Sequence, residues 1–201
     1  MDQKKMEKEF KEIMQLFEEM RNEDAWCLME ELGEKGYAPA QYKLGVRYLN
    51  GFWTEQSYDE AIEWFTMAAE QGYAPAQNAL GDCYFFGNGV EQDQAKAAEL
   101  FRKAAEQGHA EAQFNLGQCY LDSDDLENDM VKAAEWFLKA AEQGYIDAQF
   151  WIADFYEKGI GVKQDMAKAA EWFRMLAERG DETAQKRLKD ILEKDKNYIS
   201  E

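Results

Sequence analysis

Every 36 residues this chain repeats, with small changes, the stretch Ala69-Glu70-Gln71-Gly72-Tyr73-Ala74-Pro75-Ala76-Gln77-Asn78-Ala79-Leu80-Gly81. Its central glycine recurs at Gly36, Gly72, Gly108, Gly144 and Gly180. A fixed period of this length, kept without insertions, indicates one supersecondary unit stacked on copies of itself.

Two apolar patterns with helical spacing fill each period. Helix A carries an alanine, an aliphatic residue and a tyrosine four residues apart, as in Ala76, Leu80 and Tyr84. Helix B combines alanines with large aromatics, as in Ala97 and Phe101. Helix A is predicted at 38–50, 74–86, 110–121 and 146–158, and helix B at 57–71, 93–107, 129–143 and 165–179. Glycines beside the helix A stripe, at Gly45, Gly81 and Gly117, predict a neighbouring helix too close for a side chain.

This organisation predicts an all-α fold, an α/α superhelical solenoid of about four full 36-residue helical-hairpin repeats with a capping helix at each end. Residues 1–201 are interpreted as a single solenoid domain. Its parts are an N-terminal capping helix at 1–22, a degenerate B helix at 23–36, repeats at 37–72, 73–108, 109–144 and 145–180, and a C-terminal capping helix and tail at 181–201. The stretch 123–126 lacks the glycines of the other A–B turns, which predicts a differently shaped turn.

The charge of the chain restricts its partners. Asp and Glu number 41 against 23 Lys and Arg, a net charge of −18. Such a surface does not neutralise phosphates, so nucleic acid and anionic membranes are excluded as partners, whereas a basic protein is favoured. Acidity that serves only solubility is the alternative. A charged N-terminus, no long apolar run and three cysteines without close pairing predict a cytoplasmic protein with reduced thiols.

The repeats resemble a known family. The pattern of Ala76, Gln77, Leu80, Gly81 and Tyr84, then Gly87, Gly89, Val90 and Asp93, then Lys96 and Ala97, is similar to the Sel1-like repeat, a relative of the tetratricopeptide repeat. The resemblance covers about residues 25 to 190. It implies a right-handed superhelix of helical hairpins that serves as an adaptor or scaffold and is not an enzyme. Some secreted, cysteine-rich members are linked to binding of β-lactam compounds, but this chain lacks their cysteine pairing.

Helix A positions that do not repeat are the candidate binding residues, because helix A lines the concave surface in helical-hairpin solenoids. These positions are predicted to point away from the core or to lie beside positions that do. The set mixes aromatic anchors with carboxylates, which suits a partner segment with apolar and Lys or Arg side chains. The alternative is that its aromatics fill gaps between repeats. The candidate partner-binding residues are Tyr42, Lys43, Arg47, Asn78, Asp82, Phe86, Phe114, Asn115, Gln118, Asp122, Phe150, Trp151 and Asp154.

No catalytic set is visible in the sequence. His109 is the one histidine and takes the place of Tyr37, Tyr73 and Tyr145, so we interpret it as a structural variant. No nucleophile or orienting partner accompanies it. One histidine and scattered cysteines make a poor ligand set, so no metal site and no cofactor are predicted. Cys83 and Cys119 are interpreted as small apolar residues of the core.

We therefore expect a monomeric, non-enzymatic protein that binds a protein or peptide in its concave groove, and the acidity of the chain favours a Lys/Arg-rich partner. A narrower hypothesis is an acidic immunity or inhibitor protein that masks a basic toxin such as a nuclease. The alternatives from other classes are a hydrolase or small-molecule binder of the secreted Sel1-like type and a self-assembling array of chains.

Overall fold

The computed structural model describes residues 2–122 and 130–199, with side chains described at 2–121 and 130–193. The turn predicted at 123–126 and the side chain of Asp122 lie outside the described residues. In the described ranges every regular element is an α-helix. The helices are α1 Gln3–Glu18, α2 Asn22–Glu34, α3 Ala38–Asn50, α4 Tyr58–Glu70, α5 Ala74–Phe86, α6 Gln94–Glu106, α7 Ala110–Asp122, α8 Met130–Glu142, α9 Ile146–Lys158, α10 Met166–Glu178 and α11 Glu182–Ile199.

The order of the helices confirms the predicted hairpins. Helices α3, α5, α7 and α9 are the A helices, and each packs against the B helix that follows it, α4, α6, α8 and α10. Helix α2 is the degenerate B helix, while α1 and α11 are the terminal helices. Predicted and observed bounds differ by one or two residues, the usual uncertainty of helix ends, except that α1 ends at Glu18.

Local signals explain where the helices begin and turn. Asp93 Oδ1 accepts a hydrogen bond from the backbone N–H of Lys96 at 2.8 Å, and Asp165 does the same for Lys168 at 3.0 Å. These bonds satisfy donors at the N-termini of α6 and α10 that have no partner inside the helix. Between a B helix and the next A helix the backbone turns through a left-handed residue, as at Gly72 with φ of 81°. Glycine adopts this conformation without steric cost, so the repeating glycine marks the end of each B helix.

Each of the first three repeats buries a phenylalanine of its B helix against the glycine of its A helix. Phe65, Phe101 and Phe137 are at most 1% exposed. A Cβ atom added to Gly117 would lie 2.6 Å from the Phe137 ring, and one added to Gly81 would lie 2.6 Å from the Phe101 ring. The glycines therefore permit close approach of the B helix, as predicted, and the group that needs the space is an aromatic ring.

A buried glutamine in each A helix connects consecutive elements. Gln77 Nε2 donates to the carbonyl of Ala69 at 3.2 Å, and its Oε1 accepts from Gln107 Nε2 at 2.8 Å. Gln41 has the same two kinds of bond, with Gly33 and Gln71. These amides satisfy carbonyls at the ends of B helices, where the helix itself supplies no donor. The Gln of the repeat motif is thus a structural residue.

The chain divides into two compact units, Met1–Gln107 and Gly108–Glu201. Unit 1 contains α1 to α6 and unit 2 contains α7 to α11. The boundary lies in the turn between a B helix and the next A helix. That all repeats act as a single domain stays a prediction.

Candidate protein-binding surface

In unit 1 the candidate residues of helix A differ widely in accessibility. Asn78 is buried at 4% exposure and donates to Asp82 Oδ2 at 3.4 Å. Phe86 is 66% exposed at the end of α5. Tyr42, Lys43 and Asp82 are half-buried, and the ring of Tyr42 lies 5.9 Å from that of Phe65 and 5.8 Å from that of Tyr73. Lys43, Asp82 and Phe86 are therefore the accessible candidates of unit 1 whose side chains are not packed between two aromatic rings.

Arg47 is held by its own unit. Its guanidinium donates from Nη1 to Glu30 Oε1 at 2.6 Å, and from Nε and Nη2 to the carbonyls of Phe52 and Trp53 at 3.3 and 3.2 Å. The group also lies 4.9 Å from the centre of the Trp26 ring, and its side chain is 13% exposed. Arg47, predicted to lie beside the outward-pointing positions, reaches back to α2 and fastens the loop after α3, and its contact with a partner stays a prediction.

In unit 2 Phe114 is also buried. Its exposure is 8%, with ring centres 5.5 Å from Phe137 and 5.0 Å from Tyr145. Asn78 and Phe114, predicted as binding residues beside the outward-pointing positions, are thus both buried. An A helix packs against its own B helix and also against neighbouring elements of the stack, so its buried arc is wider than the stripe of alanine, leucine and tyrosine indicates.

Trp151 lies at the edge of this buried arc. It is half-buried, and its ring stacks on the buried Phe137 at 5.5 Å with 21° between the planes. The edge of Phe155 contacts it at 6.0 Å. Phe150, the next residue, packs against Phe173 at 5.7 Å and is half-buried. Trp151 thus presents part of an indole whose orientation is fixed by two buried rings.

The acidic group beside Trp151 is bound by the terminal helix. Arg187 of α11 donates to Asp154 Oδ1 at 2.7 Å and to Glu157 Oε2 at 2.6 Å, and its guanidinium lies 5.4 Å from the Phe173 ring centre. Burial would lower the pKa of Arg187, but the bonds to Glu157 and Asp154 outweigh it and raise the pKa. Asp154 also accepts from Lys158 at 2.7 Å. Asp154, a carboxylate predicted to bind a partner, is therefore already paired with two cations of its own unit.

A comparison with protein-family models matches the Sel1 repeat four times, at residues 38–73, 74–109, 110–145 and 146–181. The chain belongs to the Sel1 repeat family. The family model begins each repeat one residue later than the predicted bounds, at 38 instead of 37 for the first. Sel1 repeat proteins generally bind other proteins and are typically not catalytic.

Two solved structures show the same architecture. The protective antigen c5321 of uropathogenic Escherichia coli, which displays an SLR fold, is 41% identical with a TM-score of 0.79, over 83% of this chain and 36% of that one. A Sel1 repeat protein from Oxalobacter formigenes is 32% identical with a TM-score of 0.74, over 83% of this chain and 66% of that one. The chain therefore spans about a third and about two thirds of these relatives. No curated protein matches the sequence at a significant level.

His109 has a structural role in its Sel1 repeat. The backbone N–H of Ala112 donates to His109 Nδ1 at 3.3 Å, so the imidazole caps the first turn of α7. Burial lowers the pKa of His109, although Glu111 opposes this shift. A neutral ring is the form that can accept this hydrogen bond. The geometry agrees with the interpretation of His109 as a variant at a structural position.

The interpretation of Cys83 and Cys119 as core residues is confirmed. Cys83 and Cys119 are buried and neither forms a disulfide. Burial raises the pKa of the Cys83 thiol to about 11, which keeps it protonated and unreactive. The acidic rows of the B helices, such as Glu99 and Glu106, face solvent. Within the described ranges no group of three or more His, Cys, Asp or Glu side chains could hold a metal ion, and no helix is both long and apolar enough to span a bilayer.

Two features of this Sel1 repeat protein were missed by sequence reasoning. The first feature is Arg187, which lies 36 residues after Trp151 and so takes the equivalent position one period later. This equivalence could have predicted that Arg187 lies close to Asp154. The second feature is the pair Met20 and Trp53, two exposed apolar residues that line one hollow of unit 1, with the exposed Phe52 beside Trp53 in the chain. Its signal was the replacement of the usual Gly-x-Gly-Val turn by Gly51-Phe52-Trp53-Thr54.

Proposed function

We propose that this Sel1 repeat protein binds a partner protein through the face of α9 that carries Trp151, and that it does so without catalysing a reaction. The observation that carries the proposal is the stacking of Trp151 on Phe137 while part of its indole stays accessible. Tryptophan is the residue type most enriched among those that dominate binding energy in interfaces. A ring already fixed in orientation loses little conformational entropy when a partner covers it.

The residues around Trp151 suit a partner of mixed chemistry. Phe150 supplies a second half-buried aromatic on the same helix, and Asn115 and Gln118 of α7 add polar groups in the same unit. The partner supported best is a segment that inserts an apolar side chain beside Trp151 and hydrogen-bonds at its rim. Lys43, Asp82 and Phe86 are the corresponding accessible residues of unit 1.

The electrostatic preference for a basic partner comes mainly from the net charge of the whole chain. The net charge of −18 would accelerate encounter with a cationic protein at low salt. Asp154 contributes less to this preference than its sequence position indicated, because Arg187 and Lys158 already neutralise it. A narrower form of the same proposal is an inhibitor that masks a basic toxin. We also propose a cytoplasmic location.

The test is affinity capture from the native cell with the wild-type chain, Trp151→Ala and a matched control, Trp136→Ala. Trp136 is also half-buried in unit 2, but it belongs to the B helix α8, where Lys139 Nζ lies 3.7 Å from its ring centre. For a protein captured by the wild type, titration calorimetry should show that Trp151→Ala weakens binding about thirtyfold, the effect of a central interface residue.

The outcome that supports the proposal is loss of binding in Trp151→Ala with binding kept in Trp136→Ala. Circular dichroism must show the same helicity for both variants, and Trp151→Phe, which keeps an aromatic ring against Phe137, should retain part of the affinity. Equal affinities of Trp151→Ala and the wild type would remove this face from consideration.

A further inference from the structure

We propose that Met20, Phe52 and Trp53, the exposed corner of unit 1, form a second docking surface, which takes a lysine- or arginine-bearing segment of a partner protein. These side chains are 82%, 56% and 67% exposed. Met20 and Trp53 line one hollow of about 310 Å³ together with Arg21, Glu23 and Asp24. None of the three residues belongs to the Trp151 surface, so the inference does not rest on it.

The backbone of the corner is strained at its two most exposed residues. Met20 has φ of 63° and Trp53 has φ of 58°, and among the described residues they are the non-glycine positions with positive φ. This left-handed conformation is unfavourable for residues with a Cβ atom. Strain of this kind persists where the surrounding structure holds it, and it is frequent at functional sites.

The repeat register shows that a tryptophan here is not required by the fold. Trp53 occupies the position of Gly89 and Gly161 in the second and fourth repeats, where φ is 73° and 62°. Glycine would therefore satisfy the same turn without strain. Since the indole is 67% exposed, packing does not compensate for the strain either. An exposed aromatic that replaces an unstrained glycine is best explained by contact with another molecule.

Helix α2 borders the open space beside the indole. In the second repeat a Cβ atom at Gly89 would collide with Tyr58 and would lie 2.9 Å from Ile62. The residues one period before these are Asn22 and Trp26, and they border the two hollows beside Trp53. The second hollow, also about 310 Å³, is lined by Trp26, Cys27, Glu30 and Arg47 as well. The indole therefore has accessible space beside it.

Arg47 and Gln56 hold the loop that presents the indole. Arg47 donates to the carbonyls of Phe52 and Trp53, and Gln56 Nε2 donates to the carbonyl of Leu49 at 2.8 Å. The backbone N–H of Ser57 donates to the carbonyl of Tyr48 at 3.0 Å, which closes the loop. A loop fixed in this way presents Trp53 in one orientation before a partner arrives, so less entropy is lost on binding.

The charges around the corner select a cation. Arg21 is paired with Asp24 at 2.8 Å and Arg47 with Glu30 at 2.6 Å, so both arginines are already neutralised. Glu23 borders both hollows and forms no ion pair within the described part of the chain. The positive end of the α2 dipole is opposed by the full charges of Glu23 and Asp24 in its first turn. A lysine of the partner could lay its apolar stem on the face of Trp53 and place its ammonium group at Glu23. This single side chain would cover the exposed indole and pair the carboxylate.

The test uses a blocked peptide of alternating lysine and leucine as the probe, with an alternating glutamate–leucine peptide as the charge control. Nuclear magnetic resonance follows the indole N–H signal of Trp53 during titration. The basic peptide should shift this signal, and the acidic peptide should not. Trp53→Gly should weaken binding about tenfold, and Glu23→Gln about threefold. The matched control is Met67→Ala, which removes a partly exposed apolar side chain of α4 outside the corner and should keep wild-type affinity.

The stability of Trp53→Gly separates this proposal from a structural role. Because glycine is the residue that adopts this backbone elsewhere in the chain, the variant should unfold at the same temperature as the wild type or at a higher one. A lower unfolding temperature would mean that Trp53 stabilises the fold, and this would overturn the proposal. Equal binding by Trp53→Gly, or equal binding of the acidic peptide, would also overturn it. Self-association that disappears in Trp53→Gly would assign the corner to a second copy of the chain instead.

Trp151→Ala should leave the titration of the Trp53 signal unchanged, so failure of one surface is distinguishable from failure of the other.

Discussion

At the residue scale, the glutamine network shows how one substitution leaves a polar atom unpaired. In unit 1 Gln71 and Gln107 donate to Gln41 and Gln77, and in unit 2 Gln143 donates to Gln113. The next donor in this series would be residue 179, which is Arg179. Gln149 Oε1 is accordingly buried without a hydrogen-bond partner among the described residues. Such atoms are rare, because burial removes the water that would otherwise bind them.

Arg179→Gln should therefore stabilise the protein. Arg179 ends α10 with φ of −85° and ψ of 0°, and Gln107 ends α6 with φ of −82° and ψ of −1°, so the new amide would start from the same backbone. A hydrogen bond to Gln149 Oε1 should add about 1 kcal/mol to the free energy of unfolding, which corresponds to about 3 °C in Tm.

Differential scanning calorimetry checks this expectation against Arg179→Ala, which removes the arginine without supplying an amide. If the two variants unfold at the same temperature, the unpaired oxygen of Gln149 is not a source of instability.

At the scale of the helix, α11 is attached to unit 2 through Arg187. This arginine bonds Asp154 and Glu157 of α9, whose side chains are 13% and 18% exposed. Partial burial makes these bonds stronger than surface ion pairs, since solvent screens them less. The apolar contribution of α11 is small at its exposed end, where Leu192 is 41% exposed, although Ile191 is buried.

Arg187→Ala should loosen α11 more than the rest of unit 2. The change leaves Asp154 and Glu157 without their shared partner, and the expected loss is about 2 kcal/mol, as for hydrogen bonds to charged groups. Hydrogen exchange should become faster in α11, whereas α8 should exchange at nearly its wild-type rate.

The control in the same helix is Lys189→Ala, whose side chain is 73% exposed and lies 3.8 Å from Glu193. It should change exchange in α11 only slightly. Equal effects of the two variants would show that Arg187 does not attach the helix.

At the scale of the whole molecule, the dominant feature is an excess of negative charge. The chain carries 41 acidic and 23 basic residues, and the exposed rows of the B helices, such as Glu99 and Glu106, put acidic groups in solvent. The acidic side chains behind the net charge of −18 lie closer together in the folded state than in the unfolded chain, so they repel one another more strongly there. Most ion pairs of the described residues are exposed pairs between adjacent helical turns, which contribute little.

Added salt should therefore raise the unfolding temperature. Between about 0.02 and about 0.3 M NaCl the Debye length falls from roughly 20 Å to below 10 Å, which screens repulsion between acidic side chains. Thermal unfolding followed by circular dichroism measures the effect, with KCl as a second salt to separate screening from specific ion binding. A fall in Tm over this range would mean that attractive pairs such as Arg47–Glu30 outweigh the repulsion.

The sequence by itself determined the period, the helices and the reason for the glycines. Gly117 beside the aliphatic stripe predicted a close approach, and Phe137 makes that approach at 2.6 Å from the position of a Cβ atom. These features are readable because each repeat meets nearly the same neighbours, so small and large residues recur at the same positions. The accessible part of the candidate surface is not encoded in this way, because its residues do not repeat.

Only the tertiary structure decided which helix A residues a partner can reach. Phe114 is buried between Phe137 and Tyr145, Arg47 is bound to Glu30, and Asp154 is neutralised by Arg187, while Trp151 stays partly accessible. The partners of Arg47 and Arg187 lie 17 and 33 residues away in sequence. A helical pattern specifies the angle at which a side chain leaves its helix, but burial and pairing depend on what the adjacent elements place at that angle.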